Sequence, residues 1–176
     1  MRPQHVTVEE GFYFLTTHCV KGMRPFLNEN ACAAFRDVLR QKQNELRFRL
    51  FAYVIMPNHT HLLLQLPNGT TISKLMNHIN GAIARKINMI LQTKPDHIWQ
   101  GGFYDTVVRS AAEFATKVNY VHDNPVKWNL VKNAEEYDFS SARFFSETLG
   151  SPYLPADGFD DFGLMGFLNS VHTVLP

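Results

Sequence analysis

His59 and His61 lie two residues apart in the run Tyr53-Val-Ile-Met-Pro-Asn-His-Thr-His-Leu-Leu-Leu64. In an extended strand successive side chains alternate faces, so these two imidazoles point the same way. Two imidazoles side by side on a rigid strand form half of a divalent-metal site. Taken alone, such a pair is more often structural than metal-binding. Its setting raises the functional reading, because an otherwise hydrophobic hairpin spends two same-face positions on imidazole. Further on, Tyr120 and Asn124 stand four apart in Tyr120-Val-His-Asp-Asn-Pro-Val126. On a continuous helix they share a face. Pro125 disfavours helical geometry at Asn124, so this residue reads equally as the N-cap of a second short helix with Pro125 at its first position. That capping role and a ligand role need the same side-chain oxygen. His122, two residues from Tyr120, points away from it on a helix and reads as a surface or packing residue.

The elements that must position these groups are legible from periodicity. Aromatic and β-branched residues predict a strand over 11–20. Ala31, Ala34, Phe35, Val38 and Leu39 recur at helical spacing within 29–45, with Asn28 as N-cap. Strands over 48–56 and 59–66 flank the turn at Pro57-Asn58, since proline does not sit inside a central strand. Ile72, Leu75, Met76, Ile79, Ile83, Ile87 and Ile90 mark a helix over 72–90. A loop with Trp99 and Gly101-Gly102 leads to a strand over 103–109, and a helix over 111–123 buries Phe114, Val118 and Val121. The order β-α-β-β-α-β is that of an α+β, ferredoxin-like antiparallel sheet with two helices on one face. A further helix then follows, and the histidine-bearing face is expected to be open to it or to a ligand. Residues 1–145 form the expected catalytic domain. Residues 146–176 form an irregular acidic tail with a short final helix near 162–171.

Composition narrows the class. The chain has 176 residues, 45% hydrophobic and 19% charged, as expected for one ordinary globular core. No apolar run reaches the roughly 20 residues of a membrane span, and the first ten residues lack a signal-peptide core. Cys19 and Cys32 make no CxxC pair, which points to a reducing cytoplasm. The net charge of +1 hides an asymmetry. Residues 1–132 carry 16 Lys and Arg against 9 Asp and Glu, while residues 133–176 carry Arg143 against seven acids. A basic body suits a polyanionic partner.

Four blocks together carry a family resemblance. They are the hairpin run with His59 and His61, then Trp99-Gln-Gly-Gly-Phe-Tyr-Asp105, then Tyr120-Val-His-Asp-Asn-Pro-Val126, then Tyr137-Asp-Phe-Ser-Ser141. In this order and spacing, from Phe12 to Phe145, the chain resembles the single-tyrosine HUH transposases of IS200-like type, and within them the REP-associated tyrosine transposases. Two positions depart from the pattern. Thr60 replaces the hydrophobe between the histidines, and Thr106 stands where a histidine is expected.

The resemblance implies a metal-dependent endonuclease and strand transferase acting on single-stranded or hairpin DNA. It implies His59, His61 and Asn124 as ligands of Mg²⁺ or Mn²⁺, and Tyr120 as a nucleophile leaving a 5′-phosphotyrosine and a free 3′-OH. Asp105 reads either as a group orienting a ligand imidazole or as a strand-end turn residue. Arg85, Lys86, Lys117, Lys127 and Lys132 are candidate phosphate contacts, and Trp128 a candidate base-stacking residue. Relatives of this type work singly or as homodimers; the expected location is the cytoplasm, with the nucleoid. Two other readings stay open. One is a noncatalytic nucleic-acid-binding or regulatory module descended from such an enzyme. The other is a metal-dependent hydrolase that uses water and leaves Tyr120 structural.

Overall fold

A computed structural model describes residues 5–92 and 98–154. Four strands, β1 (Phe12–His18), β2 (Arg49–Met56), β3 (His59–Gln65) and β4 (Tyr104–Val108), form one sheet in the order β2-β3-β1-β4. Every neighbouring pair is antiparallel. With α1 (Glu29–Leu46) between β1 and β2 and α2 (Ile72–Leu91) between β3 and β4, this is the expected ferredoxin-like arrangement. Two helices follow, α3 (Ala111–Lys127) and α4 (Ala142–Leu149).

The two faces of the sheet have different covers. Tyr13, Leu15, Leu62 and Leu64 belong to one face and are buried. Tyr53 sits beside Leu62 and reaches Arg36 of α1, and Thr17 accepts a hydrogen bond from Asn80 Nδ2 of α2. Both helices therefore lie on this face. Phe12, Phe14, Thr16 and His18 face the other way, level with Leu63, His61 and His59. Phe114 of α3 packs edge-on against Phe12 and Phe51 there, and Tyr120 packs against Phe14. The histidine face, expected to be left for the last helix or a ligand, is thus roofed by α3, and His59 and His61 are buried. The apolar stripe of Phe114, Val118 and Val121 supplies the reason, because it has no other surface to cover.

Side-chain caps fix where the helices begin. Asn28 Oδ1 accepts the Ala31 amide, Thr71 Oγ1 that of Lys74 and Ser110 Oγ that of Glu113. Glu113 Oε2 in turn accepts the Arg109 amide, locking the approach to α3. Replacing an N-cap serine by alanine costs about 1 kcal/mol. Ser110→Ala should therefore lower stability by about 1 kcal/mol, read as a lower urea midpoint at unchanged slope, and an unchanged midpoint would show that the cap contributes nothing.

Helix α3 corrects one expectation. It does not stop at 123 but runs through Pro125 to Lys127, with the Trp128 amide donating to the Asn124 carbonyl and the Leu130 amide to that of Pro125. Asn124 is a helical residue and not a cap. Proline here removes one donor in the last turn, a smaller loss than in mid-helix, and continuation keeps Val121, Asn124 and Pro125 buried.

The Tyr137–Ser141 block covers the β2 edge of the sheet. The Ile55 amide donates to the Phe139 carbonyl, the Ser141 amide to the Tyr53 carbonyl, and Tyr137 Oη to the Ile55 carbonyl. An exposed β2 edge would be a template for aggregation, and this segment occupies it. Helix α4 spans residue 145, where the sequence places the boundary of the tail, and Leu154 beyond it belongs to the core cluster. The expected helix near 162–171 lies outside the described residues. No helix among the described residues is long and apolar enough to cross a membrane.

Candidate active site

Strand alternation aims His59 and His61 at the same space, with ring centroids 4.9 Å apart. Helix periodicity does the same for Tyr120 and Asn124 from the opposite wall. The Tyr120 ring lies 5.2 Å from that of His61 and edge-on to Phe14. A cleft of about 390 Å³ between the two walls is lined by Thr16, His18, Asn58, His59, His61, Tyr104, Tyr120, Asn124 and Trp128. The four residues singled out from sequence thus share one cleft. His59, His61 and Asn124 are 5%, 4% and 3% exposed, whereas Tyr120 is 41% exposed and open to a large substrate.

Hydrogen bonds orient the imidazoles. His59 Nδ1 lies 2.8 Å from Asn58 Oδ1, which can only accept, so Nδ1 carries the proton and Nε2 the lone pair. His61 Nδ1 lies 2.8 Å from Thr16 Oγ1, leaving Nε2 free. His61 Nε2 is buried without a hydrogen-bond partner, and so is Asn124 Oδ1. A buried polar atom left unpaired costs about 1–3 kcal/mol, and two around one small space call for a shared partner. Both histidines are held neutral. Burial, reinforced by the neighbouring His18, pushes His59 down to about 4, against a weak opposing effect of the Asn124 amide. Burial, reinforced by His59 and His18, pushes His61 down to about 3. Neutral imidazole is the metal-binding form.

The donor set is therefore two imidazole nitrogens and one amide oxygen, and it fits a divalent ion with open positions for further oxygens. Among the described residues no three His, Cys, Asp or Glu side chains gather around one point. The unpaired Asn124 oxygen stands in the same cleft as a donor atom of a different chemistry.

Asp105 belongs elsewhere, which corrects its reading as a group orienting a ligand imidazole. It is the second residue of β4, pairs in register with Leu15 on the α1–α2 face, and bonds His5 Nδ1. Its neighbour Tyr104, paired with Thr16, faces the cleft instead. Orientation of the two imidazoles falls to Asn58 and Thr16. Neither was singled out by sequence, because the pairing of Thr16 with His61 and of His18 with His59 is a property of register. Asn58 carried a signal, since it directly precedes His59 at a turn.

The basic candidates divide by location. Lys127 Nζ lies 5.4 Å over the Tyr120 ring and pairs with Asp123, and Lys117 Nζ lies 4.8 Å over the Phe14 ring. Both flank the cleft. Trp128 is exposed at its rim, 5.6 Å from His59. Arg85 and Lys86 are exposed on α2, across the sheet from the histidines, and Lys132 is exposed in the turn after α3; none of the three lines the cleft. Thr106, also exposed, shares the histidine face but not the cleft.

The buried neutral histidines give a pH dependence. His122 is also pushed down to about 4 by burial, with the Pro152 carbonyl opposing weakly. The unfolded chain binds protons at its histidines near pH 6.5, before the folded one does, so stability is full above that pH and falls as pH drops toward 4. At about 1.4 kcal/mol per unit, His122 alone accounts for roughly 3 kcal/mol across that range. Urea midpoints of chelator-treated protein should hold from pH 7.5 to about pH 6.5 and fall from there to pH 5; equal midpoints throughout would mean that these rings protonate freely in the fold.

The sequence profile of the family described as "Transposase IS200 like" matches residues 11–124. An Escherichia coli K12 protein named REP-associated tyrosine transposase is 24% identical over 135 residues, covering 76% of this chain and 78% of the relative. A Haemophilus influenzae protein, a candidate of the same name, is 25% identical over 140 residues, covering 74% and 79%. Among solved structures, a REP-associated tyrosine transposase bound to a REP hairpin shares the fold, with a TM-score of 0.71 at 22% identity over 92% of each chain.

Proposed function

Because the chain belongs to the IS200-like transposase family, we propose that this DNA-processing enzyme cuts and rejoins single-stranded DNA beside hairpins, with Tyr120 as nucleophile and a divalent ion held by His59, His61 and Asn124. The observation that carries the reading is the convergence of a half-exposed tyrosine and two unpaired buried donor atoms, His61 Nε2 and Asn124 Oδ1, on one cleft. The named relatives support the substrate class. The E. coli protein is named for REP elements, and the structural neighbour is bound to a REP hairpin.

The chemistry accounts for the residue types. When bound, Mg²⁺ or Mn²⁺ would oppose the negative charge that builds on the nonbridging oxygens of the scissile phosphate. Tyr120 Oη attacks phosphorus, losing its proton; the bond to the 3′-oxygen breaks, and that oxygen leaves to become a 3′-OH. The product is a 5′-phosphotyrosine, which keeps the energy of the phosphodiester so that a second 3′-OH can reseal it without ATP. Lys117 and Lys127 bring positive charge to the cleft for the backbone phosphates. Trp128 offers an exposed indole for an unpaired base. His59, His61, Asn124 and Tyr120 all come from one copy of the chain, so this reading needs no residue from a second. This reading puts its work in the cytoplasm, at the nucleoid.

The complete donor set, with its nucleophile within reach, favours an enzyme over a noncatalytic DNA-binding descendant. Hairpin oligonucleotides with single-stranded flanks, incubated with the protein and Mn²⁺ and run on a denaturing gel, should give a protein–DNA adduct and a shortened strand carrying a 3′-OH. Binding without cleavage across a broad set of such substrates would instead identify the regulatory module.

A further inference from the structure

The residues between Tyr120 and Asn124 hold the helix that presents them. His122, two positions from each, points to the opposite side of α3 and is fully buried. Its Nδ1 faces the Pro152 carbonyl at 2.5 Å and its Nε2 faces Ser141 Oγ at 2.7 Å. A carbonyl can only accept, so Nδ1–H donates to Pro152 and Nε2 accepts from the Ser141 hydroxyl. The same Ser141 oxygen accepts the Tyr53 amide at 3.0 Å. Tyr53 belongs to β2, next to Val54, which pairs with His61. A directed chain of three hydrogen bonds thus runs from the histidine hairpin, through Ser141 and His122, to the segment following α4. One turn earlier on the same side of α3, Asn119 takes both backbone groups of Leu154: its Nδ2 donates to the carbonyl at 2.8 Å and its Oδ1 accepts the amide at 2.7 Å.

The site needs this brace for a geometric reason. Asn124 and Tyr120 sit on a helix, and the two imidazoles sit on a strand. Their separation is set only by how the helix is held over the sheet. A misplacement of about 1 Å at a reacting group costs about 100-fold in rate. Loss of a group supporting metal ligands costs about 10–100-fold in affinity.

We propose that His122 is a positioning residue: with Ser141 and Asn119 it clamps α3 between the β2 edge and the 151–154 segment, and so sets the distance from Tyr120 and Asn124 to the histidine pair. The proposal rests on the transposase reading above for its effect on cleavage, but its effect on metal affinity does not depend on DNA.

The test uses the full chain and two variants. His122→Phe keeps the ring packed on Phe145, which lies 4.7 Å away, and removes both hydrogen bonds. Ser141→Ala removes one oxygen and carries the test should the first variant fail to fold. Mn²⁺ affinity is measured by electron paramagnetic resonance of the free ion, and single-turnover cleavage of a hairpin oligonucleotide is measured over a range of DNA concentrations. Both variants should bind Mn²⁺ about 10-fold more weakly. Both should cleave at least 10-fold more slowly at saturating DNA, with half-saturation within about 3-fold of wild type. His122→Gln, which keeps a donor and an acceptor, should recover part of both losses. Unchanged Mn²⁺ affinity and unchanged saturating rate in a variant that merely melts earlier would make His122 a core residue and overturn the proposal. Should wild type itself bind Mn²⁺ yet not cleave, the transposase reading fails, and the affinity comparison alone decides the role of His122.

Discussion

Tyr120→Phe is expected to abolish the covalent protein–DNA adduct and to reduce strand cleavage by at least about 1000-fold, with the protein still folded and still bound to hairpin DNA. Removal of an enzymic nucleophile costs a factor of this order or more, because the residual rate then depends on the remaining groups alone. The substitution deletes one oxygen from a half-exposed ring that makes no hydrogen bond among the described residues. The ring contacts to Phe14 and His61 are those of a phenyl group and survive. The cost in stability should stay below about 0.5 kcal/mol, as for other surface substitutions. Two measurements check this: the adduct on a denaturing gel and the melting curve. Cleavage at near wild-type rate without an adduct would replace the nucleophile by water, and the enzyme would then be a metal-dependent hydrolase with a structural Tyr120.

His61→Ala should remove the response to metal. In the wild-type protein, Mn²⁺ at about 100 times its dissociation constant should add about 2.7 kcal/mol of stability through binding to the folded state only. For a chain of this size that corresponds to a rise of roughly 5–10 °C in melting temperature. The alanine variant should lose this shift and at least about 100-fold in cleavage, and EDTA should bring the wild type to the same rate. The metal-free variant should not be much weaker than metal-free wild type. The cavity left by the ring destabilises, but the buried unpaired Nε2 disappears with it, and that atom costs about 1–3 kcal/mol where it stands. An undiminished Mn²⁺ shift in His61→Ala would place the metal elsewhere and sink the assignment of the cleft.

The split between these two effects reflects how the site is built. Tyr120 lies where DNA can reach it and contributes little to the fold. His59, His61 and Asn124 lie buried, and burial keeps both imidazoles neutral at physiological pH. Their unpaired atoms are a local cost in stability of the sort found at functional sites, offset by the core around them.

Local pattern was enough for the four strands, for α1 and α2 and for the start of α3, and it put the four principal side chains on shared faces; helix α4 (Ala142–Leu149) lies where the sequence reads as irregular. Periodicity of two gave the strands and put His59 and His61 on one face. Periodicity of 3.6 gave α1 and α2 almost to their ends, and the Tyr120–Asn124 spacing put those two on one side of α3. These are short-range properties of the backbone, read over a few residues. Pro125 was the exception: its local preference argued for a helix end at Asn124, and the burial of Val121, Asn124 and Pro125 outweighed it.

Long-range pairing was not legible. The parity of β4 against β1 decided that Tyr104 lines the cleft and that Asp105 turns to His5, and a shift of one residue would reverse them. Register alone brought Thr16 and His18 beside the histidine pair. Packing of α3 decided between helix and ligand as the cover of the histidine face, left a cleft there, and buried His122, which local pattern had read as a surface or packing residue. Sequence by itself thus determined which polar groups share a face, because residue type and spacing are written in the chain. Only the tertiary structure decided how far apart they stand and what holds them there, because those distances come from contacts between residues as remote as Tyr53, Ser141 and Pro152.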